Sequence, residues 1–280
     1  MILCFLRFSL FVVFGIFAKS YALVQLQNWS IAPVVSHYHY GETTPEASNF
    51  MSLDGFMPGL ELAFDFINEK ECKVLCRRKP IPKWHYTLTG MVSVGQLAYD
   101  SSNSGSAIMP SNSSTNISFL INRSLRSKNL QLYFGALYRE FVNDGNKVIT
   151  TTSHGGYART TNQIYAPFGI RFKNIASGLF DVGLEYDYLL SSTQTTDFTW
   201  MGGTSTKNNQ PTGYGLRAYC DINLTDTRTG SYKLVLSPFW QLWNIGRSDD
   251  RLMSTGSSVF MGYEPQNRTT DVGLKLKVIF

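Results

Sequence analysis

Asp181-Val182-Gly183-Leu184-Glu185-Tyr186-Asp187-Tyr188-Leu189-Leu190 alternates without a break. Val182, Leu184, Tyr186, Tyr188 and Leu190 fall on one side of an extended chain, and Asp181, Gly183, Glu185, Asp187 and Leu189 on the other. A period of two marks a β-strand whose faces meet different surroundings. Residues 163–173 repeat it, with Ile164, Ala166, Phe168, Ile170 and Phe172 opposite Tyr165, Pro167, Gly169, Arg171 and Lys173. Residues 213–224 do so again, setting Tyr214, Leu216, Ala218, Cys220, Ile222 and Leu224 against Gly213, Gly215, Arg217, Tyr219, Asp221 and Asn223. A soluble β-sandwich also alternates, but it turns its charged face to water. Here the charged face also carries glycines and aromatics, as the lining of a narrow lumen does, and the apolar face suits lipid. The expected fold is all-β, an antiparallel up-and-down transmembrane β-barrel.

Working outward, ten segments read as strands: 28–40, 57–68, 84–99, 115–125, 130–141, 162–174, 178–190, 212–224, 231–244 and 269–280. Pro33 interrupts the first and should sit at an edge or bulge. The connections alternate in length. Residues 126–129, 175–177 and 225–230 are short, whereas 41–56, 100–114, 142–161, 191–211 and 245–268 are long and rich in Ser, Thr, Asn and Gly. Short turns at one end and long polar loops at the other describe a barrel that crosses an outer membrane. An even number of crossings returns the C-terminus to its starting side, so eight or twelve strands are the alternatives to ten. Residues 69–83 break the rule, being a long basic turn with Cys72 and Cys76 close enough in sequence to bond across a tight loop.

The composition agrees. Of the 280 residues only 16% are charged, 43% are hydrophobic and 14% are aromatic; an ordinary soluble domain is about a quarter charged. After the leader no apolar run approaches the roughly 20 residues of a membrane helix. The leader itself, residues 1–22, reads as a signal peptide: Arg7, the apolar core Phe8 to Phe17, then Ser20-Tyr21-Ala22 before the cut. An uncleaved anchor is the alternative. The barrel domain is then 23–280. Losing Arg7 and Lys19 from 25 basic residues leaves 23 against 20 acidic ones, too small an excess to suggest nucleic acid.

The chain ends Asp271-Val272-Gly273-Leu274-Lys275-Leu276-Lys277-Val278-Ile279-Phe280. This resembles the C-terminal strand of Gram-negative bacterial outer-membrane β-barrels, in which a polar residue, a glycine two later and alternating apolar residues precede a terminal aromatic. Asp271, Gly273, Leu276, Val278 and Phe280 occupy those places. The resemblance implies recognition by the barrel-assembly machinery and a setting in outer-membrane lipid and lipopolysaccharide. The opening, Tyr38-x-Tyr40-x-Glu42 and Phe50-Met51-x-Leu53-x-Gly55-Phe56-Met57, is similar to small porin-like barrels without an assigned activity.

Carrying the alternation along every strand puts Glu61, Asp65, Asp181, Glu185, Asp187 and Asp221 in the lumen with Arg139, Arg171, Lys173, Arg217, Lys233 and Lys275. Both signs are present, and buried charges must be paired. A plugged structural or surface-interaction barrel is therefore expected, with a narrow porin-like channel or a secreted soluble β-sandwich as alternatives. The Asp-x-His pairing of omptin proteases and the His-x-Ser-Asn motif of barrel lipid A deacylases do not occur. The rim candidates His37, His39, Asp54, Asp100, His154 and Asp187 suggest no catalytic set. His37-x-His39 shares a strand face but has no carboxylate partner legible in sequence, so no enzyme, metal or cofactor is assigned. An external ligand would meet the loops, and Trp200 reads as packing over the barrel mouth. Trp29, Trp84, Trp240, Trp243, Tyr99, Tyr188 and Phe141 lie near strand ends and should form interfacial girdles.

Overall fold

A computed structural model describes residues 24–45, 47, 50–68, 84–125, 129–225 and 232–280. The leader 1–22 and the Cys72/Cys76 pair lie outside them. Ten strands form the wall: β1 (Val24–Thr43), β2 (Met51–Asn68), β3 (Trp84–Ser101), β4 (Gly105–Ser124), β5 (Leu130–Asp144), β6 (Ala158–Ile175), β7 (Phe180–Asp197), β9 (Gly213–Asn223), β10 (Lys233–Ile245) and β13 (Gln266–Ile279). Each pairs antiparallel with its neighbours in chain order, and β13 returns to β1. The sheet closes on itself with ten strands, neither eight nor twelve, which excludes the two-sheet sandwich. β8 (Ser205–Asn209) adds to β7, and β11 (Arg251–Ser254) pairs with β12 (Val259–Gly262) as a separate hairpin.

The strands are longer than sequence alternation suggested. Residues 100–114, expected as a loop, continue β3 and β4 and leave only Ser102, Asn103 and Ser104 as the turn. Residues 191–197 likewise extend β7. Polar alternation of Ser, Thr and Asn resembles loop composition, but the ladder carries it as wall.

The outer surface changes character at one level. On β2 the outward residues from Phe56 to Phe66 are apolar or proline, and on β7 so are those from Phe180 to Leu190, apart from the phenolic hydroxyls of Tyr186 and Tyr188. Ten residues at about 3.3 Å each, tilted by about 40°, stand roughly 25 Å tall, the height of a barrel's apolar band. Above that level the same face carries His37, His39, Asp54, Gln96, Glu140, Asn162, Thr193 and Arg268. Val35, Phe56, Val92, Phe168 and Leu184 are each 48–66% exposed. Left in water, a side chain of that kind forgoes about 1.5–3 kcal/mol relative to an apolar setting.

Aromatics mark the edges, with corrections. Trp29 stacks on Phe280 at 4.3 Å, and Arg123 lies 5.0 Å over Trp84, both at the end where strands join by short turns. Trp240 and Tyr188 face outward at the other end of the band. Trp243, Phe141 and Tyr99 do not join a girdle. They point inward, with Trp243 2% and Phe141 6% exposed and Tyr99 packed on the interior cluster.

Pro33 sits at neither an edge nor a bulge of its strand. Its ladder to β13 skips between the Ile31–Val278 and Val34–Lys275 pairs. Pro58, Pro167 and Pro238 likewise fall where the β2–β3, β5–β6 and β9–β10 ladders skip. Proline has no N–H to give, so each is tolerated where one neighbour does not ask for it.

Inside, rings lie across glycines. The Tyr133 ring covers Gly169 on β6, and the Tyr219 ring covers Gly183 on β7, each leaving no room for a Cβ. Gly169→Val and Gly183→Val should each destabilise the barrel by about 1–3 kcal/mol or more through overpacking. The expected readout is a lower temperature for loss of the fast-migrating band on unboiled gels, with Gly90→Ala, where a Cβ meets nothing, unchanged.

Candidate functional site

Inward side chains stack in layers from the turn end to the loop end. At the turn end Lys277 Nζ meets Asp221 at 2.9 Å, Lys275 meets Glu61, and Arg171 Nε donates to the Tyr219 hydroxyl. Above them Arg217 is held between Glu185 and Asp187, its Nε 3.0 Å from Asp187 Oδ2. Asp187 is therefore a fully buried mid-lumen group, not a rim residue. Next, Arg139 donates to Gln163 at 2.8 Å and lies 4.2 Å over the Trp243 ring. Asp271 faces inward at this height and is 7% exposed.

The next layer is apolar. Tyr38 stacks on Phe141 at 4.9 Å, and Leu53, Met57, Leu97 and Met109 fill the space beside them, Leu53 and Leu97 fully buried. Sequence reading missed this apolar layer, because Met51 and Leu53 fell in a segment assigned to a loop. The signal was present in the alternation Met51-x-Leu53-x-Gly55-x-Met57. Over this layer Arg159 pairs with Glu42, at 8% and 3% side-chain exposure, and Tyr40 donates to Glu42 at 2.7 Å. Glu264 closes the stack and takes the Thr196 hydroxyl. Burial pushes its carboxyl above the ordinary glutamate range, against the pull of Arg159.

The loops fold over this end. Phe198 is buried against Tyr157 at 4.7 Å, and Trp200 donates its Nε1–H to Gly156 at 2.7 Å. Asp249 accepts the Asn209 backbone N–H at 2.7 Å and pairs with Arg251; that backbone hydrogen bond first, and the arginine after it, hold its carboxyl below the usual range.

Of the remaining rim candidates, His37, His39 and Asp54 gather and the others stand apart. Asp100 is exposed on the outer wall, and His154 contacts Thr152 at 2.8 Å in a loop. His37 and His39 lean on Asp54 from either side at 3.1 and 3.0 Å, facing outward just above the apolar band. That carboxylate comes from the neighbouring strand, which is why sequence spacing hid it. Among the described residues no group of three His, Cys, Asp or Glu is arranged to hold a metal ion.

Asp65, Asp181, Lys173 and Lys233 take no part in the mid-lumen layers. With Glu61, Asp221, Arg171 and Lys277 they line a cavity of about 450 Å³ open at the turn end. On the final strand Leu276, Val278 and Phe280 point outward, and Gly273 lies against the Val35 carbonyl and the Phe239 ring.

No family model and no curated protein matches the sequence. Among solved structures the chain is similar to the outer-membrane protease OmpT from Escherichia coli, at 12% identity and a TM-score of 0.51 over 91% of this chain and 98% of that one. It is also similar to the translocator domain of the autotransporter NalP from Neisseria meningitidis, at 12% identity and a TM-score of 0.37 over 89% and 88%. The first of these likenesses, at the level of fold, is to an outer-membrane β-barrel, and that is the fold of this chain.

Breaking a buried pair on one side should show how much the layers matter. Arg217→Met strands two carboxylates and should cost about 3–5 kcal/mol. Arg247→Met removes the Arg247–Asp250 pair, about half exposed on both sides, together with a hydrogen bond to the Ser248 carbonyl and a stack on Tyr263, and strands no buried carboxylate; it should cost about 1 kcal/mol. Urea unfolding in detergent micelles measures both.

Proposed function

We propose that this chain resides in the outer membrane as a sealed barrel and acts as a surface-interaction scaffold, presenting its loop end outside the cell. One observation carries the reading. Above the turn-end cavity, paired charges, an apolar layer and the Arg159–Glu42 pair stack across the interior, all built from the wall itself. A barrel of about this size has little interior beyond its own side chains. Lipid surrounds the apolar band, lipopolysaccharide the polar wall above it, and the assembly machinery reads the last strand. The short turns then face the periplasm.

The loop end supports an interaction role. The β11–β12 hairpin holds Leu252, Val259 and Met261 63–66% exposed, far from the lipid band. Apolar groups displayed on a rigid scaffold are typical of contact surfaces. No catalytic residue is part of the proposal.

Planar bilayers test the sealed lumen. The purified full chain should give no steady current steps, and steps of constant size would overturn the reading in favour of a channel. Leu252→Ser with Met261→Ser should leave the barrel's gel mobility unchanged while weakening attachment of whole cells to their ligand surface.

A further inference from the structure

The turn-end cavity holds charge that the fold does not use. Three of its eight ionic groups lie in tight pairs, Lys277 with Asp221 and Glu61 with Lys275 at the roof, which leaves Arg171, Lys173, Lys233, Asp65 and Asp181. The two acids already have partners. Asp65 accepts the Thr87 hydroxyl at 2.7 Å and Asp181 the Asn174 backbone N–H at 2.8 Å. The three cations have no carboxylate at ion-pair distance among the described residues. Arg171 spends its Nε on Tyr219 and lies 5.3 Å over that ring, and among the described residues its two Nη groups have no acceptor. Lys173 stands within electrostatic reach of Arg171 and Lys233, and of Asp181 and Asp65 beyond ion-pair distance.

Stability alone does not call for this arrangement. Arg171 and Lys173 share a face of β6, and Lys233 comes from β10, so three cations converge from two walls, with Asp65, Asp181 and Asp221 near them but none at ion-pair distance. An anion between them would turn mutual repulsion into attraction. A guanidinium offers a planar fork of donors to a tetrahedral oxyanion, and ammonium groups add compact charge. The cavity volume lies within the range that holds small ligands. The rest of its lining is rich in neutral hydrogen-bonding groups, including Ser30, Thr89 and Asn223, which suits a hydroxyl-bearing body better than an apolar one.

We infer that the turn-end cavity is a binding site for a small phosphomonoester, its phosphate held by Arg171, Lys173 and Lys233. The site does not depend on which compartment the turn end faces or on whether the lumen conducts.

Titration calorimetry on the full chain in detergent at low ionic strength tests it, with hexose 6-phosphate, inorganic phosphate and unphosphorylated hexose as probes. The expected result is saturable binding of hexose 6-phosphate, weaker binding of phosphate and none of hexose. Lys173→Gln with Lys233→Gln should weaken hexose 6-phosphate at least tenfold, Arg171→Lys should weaken it by a similar factor, and Arg268→Gln on the outer wall should change nothing. Added salt should weaken binding to the wild-type chain, a readout that needs no variant to fold. Equal binding of phosphate and its hexose ester would correct the ligand to free phosphate and overturn the ester. No saturable binding up to about 10 mM, an affinity too weak to count as a site, or unchanged affinity in the double variant would overturn the site itself.

Discussion

Hydrocarbon offers a backbone nothing to bond to, so a sheet that meets lipid can leave no edge. In this chain that requirement is met where the last strand returns to the first. The Trp29 and Phe280 backbones exchange hydrogen bonds at 3.3 and 2.9 Å, and the ladder continues from Ser30–Ile279 to Thr43–Gln266. Once the ring is closed, the two faces of every strand are committed. The outer face can be apolar because it needs only dispersion and freedom from water, and the inner face must carry everything polar.

A closed ring of ten strands leaves a narrow interior, and narrowness decides what charge can do there. Arg217, Lys275 and Lys277 each reach a carboxylate on another strand. Such pairs offset the cost of removing ions from water and gain little beyond that. Their structural contribution is registry: a slip of one residue on β9 would turn Arg217 toward lipid. The apolar layer above them, from Leu53 to Phe141, packs side chains from several strands across the interior. The packing of the interior and the specificity of the strand register thus share a cause.

Much of this was legible beforehand. The period-two segments at 163–173, 181–190 and 213–224 gave the strand faces, and turn-and-loop alternation gave the count of ten. Strand ends were not legible, because a wall that rises into water uses the same Ser, Thr and Asn that loops use, as at 106–114. The girdle was misread for a related reason. Trp243 and Phe141 lie near ends by sequence, but their parity places them inside, and parity should have outranked position. Asp54 beside His37 and His39, and the gathering of Lys173 with Lys233, depend on cross-strand register, which local spacing does not contain.

The claim beneath all of this is that one face of the wall touches lipid and the other does not. Single cysteines at each position from 182 to 188, in a chain whose Cys4, Cys72, Cys76 and Cys220 are serine, can carry a small fluorophore into bilayers. Quenching by a lipid-borne nitroxide should be strong at 182, 184, 186 and 188 and weak at 183, 185 and 187. Uniform quenching by aqueous iodide along the whole segment, with no alternation in the lipid signal, would contradict the account.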